Sequence, residues 1–215
     1  AGNRYLNEAM PYSEFGFAMI EADNSDVTHI PSWLIIDNYS FRKYNIFGHL
    51  PLPKIPFAPA PTGGKVPQSW LDSGVVKVAD TVEELAKQMD VPVANLRATV
   101  DRYNKIAATG KDTDFGRGDS KYDQWYADIT LEHPNLAPFH GGPYMAFKII
   151  LSDLGTNGGI MTDEHARAVS ADGKVIPGLY ATGNVSSSVM GRSYAGAGAT
   201  LGPSATFGFI AANDA

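Results

Sequence analysis

Apolar residues recur at three- and four-residue spacing at Leu96, Val100, Tyr103, Ile106 and Ala107. That is the period of a helix burying one face. Pro92 stands near its first turn and Gly110 just beyond its end, the usual order of helix punctuation. A shorter helix precedes it, opened by the Thr-x-x-Glu capping box Thr81-Val82-Glu83-Glu84 and running to about Met89. Short apolar runs predict strands at 33–37, 75–78, 145–151 and 179–182. The rest of 1–60 carries scattered aromatics and leads into Pro51, Pro53, Pro56, Pro59 and Pro61, so it predicts an irregular wrap. Residues 112–126 alternate Asp, Gly and Lys with aromatics and predict an exposed loop.

Beyond Gly155 the chain turns rich in Gly and Ala. A boundary near 150 therefore separates a mixed α+β module, 1–150, from a Gly-rich α/β module, 151–215, with no internal repeat. Residues 193–213 carry no charge, but small residues dominate them. A membrane span needs sustained apolarity over ~20 residues, so this segment predicts buried backbone lining a ligand. Any membrane association is expected to be peripheral.

Composition narrows the chemistry. The 215 residues are 44% hydrophobic and 19% charged, which supplies a core and excludes general disorder. A net charge of −6 without a basic cluster argues against nucleic acid. No cysteine is present, which excludes disulfides, thiolate metal sites and a Cys nucleophile, and fits a cytoplasmic setting. His29, His49, His133, His140 and His165 show no ligand spacing, so no metal is expected. No Gly-x-Ser-x-Gly elbow occurs.

Three features could carry chemistry. Gly196-Ala197-Gly198-Ala199-Thr200-Leu201-Gly202 precedes a helix with Pro203 in its first turn. Such a run lets backbone N–H groups approach an electron-rich ligand. It is not a dinucleotide fingerprint, because the preceding strand ends about ten residues too early. Tight packing through small residues is the alternative. Gly183-Asn184 ends a strand, where α/β proteins bind ligands, though an ordinary turn looks the same. Of ten tyrosines, Tyr12 follows Pro11 and Tyr194 lies inside the Gly-rich loop. A phenol with a pKa near 10 can donate to a carbonyl as it stands, but must lose its proton to act as a base.

The residue strings go further. Asn3-Arg4-Tyr5-Leu6-Asn7-Glu8-Ala9-Met10-Pro11-Tyr12, Asp153-Leu154-Gly155-Thr156-Asn157-Gly158-Gly159, Thr162-Asp163-Glu164-His165-Ala166-Arg167, Pro177-Gly178-Leu179-Tyr180-Ala181-Thr182-Gly183-Asn184 and Ser188-Val189-Met190-Gly191 stand in that order. With Tyr194-Ala195-Gly196-Ala197-Gly198-Ala199-Thr200-Leu201-Gly202-Pro203 they resemble the FAD-dependent 3-ketosteroid Δ1-dehydrogenases along nearly the whole chain. Ala195 departs from the family's usual proline. The family's Gly-x-Gly-x-x-Gly βαβ unit and a further active-site tyrosine have no counterpart, so the resemblance is to the C-terminal part of such an enzyme.

The resemblance implies a substrate-binding domain over 1–150 and, over 151–215, the return of a Rossmann-like FAD domain whose N-terminal half would be a partner. It implies FAD and a 3-ketosteroid, with 1,2-desaturation as the reaction. Tyr12 matches the proton-abstracting tyrosine, with Asn7 and Glu8 expected to hold its turn. Tyr194 and the Gly198 N–H match the donors to the ketone. Gly183, Asn184, Ala199, Thr200, Leu201 and Gly202 match flavin contacts. This chain alone is then expected to bind FAD weakly. A 4-ene-forming steroid dehydrogenase, a fumarate-reductase-like enzyme and a non-catalytic subunit without flavin are the alternatives.

Overall fold

The structure, a computed structural model, describes residues 1–23, 27–48, 65–155 and 157–215. The prolines at 51–61 lie outside the described residues. In chain order the elements are α1 (Tyr12–Asp23), β1 (Ser32–Asp37), α2 (Asn38–Lys43), α3 (Gln68–Asp72), β2 (Val76–Ala79), α4 (Val82–Gln88), α5 (Val93–Thr109) and α6 (Lys121–Trp125). They continue with β3 (Tyr144–Ile149), β4 (Arg167–Val169), β5 (Val175–Tyr180), a 3-10 turn (Gly183–Val185) and α7 (Leu201–Asp214). Two compact units result: Ala1–Ala9 with Ala18–Leu151, and Met10–Phe17 with Ser152–Ala215. The break near 151 agrees with the boundary expected near 150, while Met10–Phe17, which carries Tyr12, groups with the second unit.

The first unit is built on an antiparallel sheet in the order β1-β3-β2, with Asp37 opposite Tyr144 and Val76 opposite Phe147. Side chains alternate across a strand, and here both faces are apolar. Trp33, Ile35, Ala79 and Ala146 pack with Leu85, Ala86, Leu96 and Val100 of α4 and α5. Leu34, Ile36, Val76, Met145 and Phe147 pack with Phe41 and Trp70 on the other face. Thr81 caps α4 by accepting from the Glu84 N–H at 3.2 Å, as its capping box predicts. Gly110 ends α5 at φ +71°, and a Cβ there would lie 2.5 Å from the His133 ring, so glycine is required twice over.

Two expectations hold only in part in this unit. Residues 1–60 hold the expected strand at 33–37 as β1, but the described part of the rest is not simply an irregular wrap, since α1 and α2 are helical. The hydrophobic pattern of α1 is weak because, among its residues, Met19 alone is buried. Residues 112–126 are largely exposed, as expected, but not wholly a loop: Asp112 and Asp123 are buried and Lys121–Trp125 is helical. Both carboxylates are saturated with donors. Arg4 reaches Asp112 through two nitrogens at 2.9 and 2.6 Å, and the N–H groups of Asp114, Phe115 and Arg117 also donate to it. Asp123 accepts from Asn7 Nδ2, the Gly118 N–H and Ser120 Oγ.

In the second unit β4 and β5 pair antiparallel. Ala166, Ala168 and Ala181 are its buried apolar residues. The expectation that 193–213 is buried is not met: no residue of α7 is buried, and Leu201 and Phe209 are 77% and 72% exposed. The described residues of this unit supply too little apolar surface to cover them. No described helix is long and apolar enough to cross a membrane.

The Arg4–Asp112 pair predicts how the first unit meets acid. Burial alone would raise the Asp112 carboxyl, but the Arg4 hydrogen bonds and the Asp114 and Arg117 N–H groups outweigh it and draw the pKa down to about 2. A carboxyl depressed in the folded state stabilises above its ordinary pKa, and that contribution fades as pH falls from about 4 to about 2. Asp112→Asn is therefore expected to remove about 3 kcal/mol at neutral pH and to lower Tm by about 10 °C. Its stability should also fall less steeply below about pH 4 than that of the parent. Thermal unfolding followed by circular dichroism across pH checks both; parallel pH profiles would show that Asp112 is not the linked group.

Candidate active site

The chemistry-bearing residues of the second unit gather around two junctions. At the first, the chain leaving β5 meets the start of α7. Thr182 Oγ1 donates to the Ser204 carbonyl at 3.0 Å. Ser204 Oγ in turn donates to the Thr200 carbonyl at 2.7 Å. Gly183 sits at φ +71°, and a Cβ there would fall 2.8 Å from Ser204 Oγ. Only a glycine lets the strand end lie this close to the helix. Asn184 follows in the 3-10 turn, its carbonyl accepting from the Gly158 N–H at 3.2 Å.

Residues 196–202 form a tight entry into α7, with Ala199 N–H donating to Gly196 and Gly202 N–H to Gly198. The N–H groups of Gly198, Thr200 and Leu201 have no acceptor among the described residues. Gly198, at φ +97°, and Gly202 both face open space, where a Cβ would meet nothing within 4 Å. The result is an opening at Gly198 and Gly202 beside the first turn of α7, the positive end of a helix dipole. A flat, electron-rich ring edge such as that of a flavin fits this donor set. The described residues contain no cluster of His, Asp and Glu suited to a metal.

At the second junction the first turns of α1 meet residues 192–194. The Tyr12 and Tyr194 rings lie 4.2 Å apart between centroids, tilted by 36°. Ser193 Oγ donates to Glu14 Oε1. The Arg192 guanidinium carbon sits 4.5 Å from the Phe17 ring centroid. Tyr12 is 53% exposed, and its phenol is pushed above its ordinary value by partial burial first, then by the hydrogen bond and charge of Tyr194. One phenol thus holds its proton tightly beside a second that can share a hydrogen bond. Such a pair can donate to a carbonyl oxygen, and as tyrosinate Tyr12 makes a strong base.

Asn7 does shape the turn before Tyr12, accepting from the Ala9 N–H at 2.8 Å. Glu8, expected to help hold that turn, instead pairs with Arg4 at 2.6 Å and Arg117 at 3.3 Å in the first unit. Glu14 and Ser193 were not anticipated. No periodicity or motif marks them, because their pairing spans 179 residues.

The FAD binding domain family matches residues 1–201. A 3-oxosteroid 1-dehydrogenase of Mycolicibacterium smegmatis is 42% identical over 100% of this chain and 37% of its own length. A 4-oxocyclohexanecarboxylate 2-dehydrogenase of Sinomonas cyclohexanicum is 36% identical over 98% of this chain and 34% of its own. Among solved structures, the 3-ketosteroid delta1-dehydrogenase of Sterolibacterium denitrificans in complex with 1,4-androstadiene-3,17-dione superimposes with a TM-score of 0.84 at 40% identity, covering 99% of this chain and 37% of that one. The chain spans about 37% of the length of these steroid-dehydrogenase relatives.

The ring pair makes the ionisation of Tyr12 depend on its neighbour. In 13C-tyrosine NMR, Tyr12 is expected to titrate above the ordinary phenol value of ~10. Tyr194→Phe should move it back part of the way, since the contribution of burial remains. An unchanged Tyr12 titration in that variant would mean that the two phenols do not interact in solution.

Proposed function

The chain belongs to the FAD binding domain family of flavoproteins, and we propose that it is part of an enzyme that desaturates the 1,2 bond of a 3-ketosteroid. On this reading residues 151–215 belong to the flavin domain, and residues 1–150 form the substrate domain apart from the Tyr12 turn. The rest of the flavin domain, from the same or a separate polypeptide, is the partner, and the enzyme works in the cytoplasm with at most peripheral membrane contact. The observation that carries the reading is the Tyr12–Tyr194 ring pair; the open space at Gly198, four residues on from Tyr194, supports it. The steroid-dehydrogenase relatives and the superimposed structure support the substrate class.

Removing hydrogen across a carbon–carbon bond beside a ketone requires a base, donors for the oxygen as it gains enolate charge, and an acceptor for hydride. FAD, when bound, supplies the acceptor for the hydride leaving the neighbouring carbon. Tyr12, as tyrosinate, takes the proton from the carbon next to the ketone. The Tyr194 hydroxyl and the Gly198 N–H donate to the ketone oxygen, and such donors are typically worth ~3–4 kcal/mol each in the transition state. Glycine at 198 leaves the ketone room to approach its N–H. The raised pKa of Tyr12 keeps the tyrosinate scarce at neutral pH while making it a stronger base when formed.

The Sinomonas relative supports a second reading within the same chemistry. The substrate in its name is also a six-membered ring ketone, but carries a carboxylate in place of a steroid nucleus. Turnover of 3-ketosteroids against 4-oxocyclohexanecarboxylate by the complete enzyme separates the two readings.

In that enzyme Tyr194→Phe is expected to lower kcat by about 10²-fold with a smaller effect on steroid affinity. Tyr12→Phe should lose a general base worth about 10²–10⁴-fold and should also stop exchange of the proton beside the ketone into deuterated water. Parent turnover should rise with pH, because tyrosinate becomes populated only as pH approaches the raised Tyr12 value. Undiminished exchange in Tyr12→Phe, or a loss of affinity alone in Tyr194→Phe, would overturn the assigned roles.

A further inference from the structure

The two phenols are brought together by residues that neither tyrosine's motif contains. Three consecutive residues of the second unit each meet one side chain on the first half of α1. Arg192 covers Phe17, Ser193 donates to Glu14, and Tyr194 lies against Tyr12. Glu14 and Phe17 are three apart and so share a helix face. The outer two contacts are a cation over a ring and a ring against a ring, and both tolerate sliding. The middle contact is a hydrogen bond, whose strength falls steeply with angle and distance. It is therefore the contact that sets the register of the strip.

Glu14 has a second unusual feature. Its Oε2 is buried and has no hydrogen-bond partner among the described residues. A buried carboxylate oxygen without a donor is uncommon in native proteins, and here it leaves Ser193 as the donor that orients the carboxylate. Ser193 is itself exposed, so its hydroxyl gives up water to make this contact.

We propose that Glu14 is a positioning residue: through Ser193 it fixes the segment bearing Tyr194 on the helical turn bearing Tyr12, and so sets the separation of the two phenols. The inference rests on the reading of those phenols as the proton acceptor and a ketone donor. Glu14 itself touches neither substrate nor cofactor in this role. A reaction that needs one phenol to remove a proton while the other donates to the adjacent oxygen depends on their spacing, and a displacement of ~1 Å in such a pair can cost about 10²-fold.

The test has two arms. In the 215-residue chain labelled with 13C-tyrosine, Glu14→Ala and Ser193→Ala should each weaken the ring-to-ring nuclear Overhauser contact. Each should also shift the Tyr12 titration in the direction seen for Tyr194→Phe, and the double variant should shift it no further, because both residues act through one bond. Glu14→Gln keeps an oxygen for Ser193 and should restore the parent titration. In the complete enzyme the two alanine variants should lose about 10–100-fold in kcat while KM for the steroid changes by less than about threefold. A Tyr12 titration unmoved by both alanine variants, or additive effects in the double variant, would overturn the proposal. Equal losses in Glu14→Gln and Glu14→Ala would also overturn it, by placing the role in the charge. If Tyr12→Phe turned over steroid normally while the alanine variants still separated the rings, the functional reading would fall and the positioning role would stand.

Discussion

A carboxylate removed from water must be surrounded by donors, and the first unit is organised around three that are. Asp37, Asp112 and Asp123 are 0%, 3% and 1% exposed. Each collects donors from a segment far away in the chain: Asp37 from the His140 N–H, Asp112 from Arg4 and Asp123 from Asn7, across 103, 108 and 116 residues. Each also serves the backbone near it, as Asp37 does in capping α2 through the Ser40 N–H at 2.8 Å. Apolar packing of the sheet faces is tolerant of small slips, whereas an unsatisfied buried charge is not. Two of these points pin the amino-terminal segment to the 112–126 region, and the third pins the end of β1 to residue 140.

The same three residues show why part of the fold was hidden in the sequence. An Asp among Gly, Lys and Ser looks like a surface residue until its partners are known, so 112–126 read as a loop. Where one helix face carries the burial, as in α5 with Leu96, Val100, Ile106 and Ala107, the period was plain, and the Thr81 and Gly110 termini followed from local rules. The weakly patterned α1 went unread because its contacts lie mostly with partially exposed side chains.

Legibility of the site followed a similar line. Gly183 and the 196–202 run stood out by their glycines, of which Gly183, Gly196 and Gly198 take the left-handed backbone that glycine alone adopts readily, and the structure sets the strand end against the helix start. Tyr12 and Tyr194 were named from a resemblance of residue strings, and their proximity needed coordinates. Glu14 and Ser193 had no signal at all. A glutamate two residues into a helix normally complements the helix dipole, and nothing local distinguishes that duty from a bond to a residue 179 positions away.

The second unit leaves Leu154, Leu201 and Phe209 at 96%, 77% and 72% exposure. Water around such surface is released when two apolar faces meet, and near room temperature that release is entropic. Solutions of this polypeptide should consequently be easier to keep dispersed in the cold than when warmed, the reverse of what a surface held in solution by hydrogen bonding would give. Its handling would favour low temperature, and sulfate, which strengthens apolar burial, would work against it.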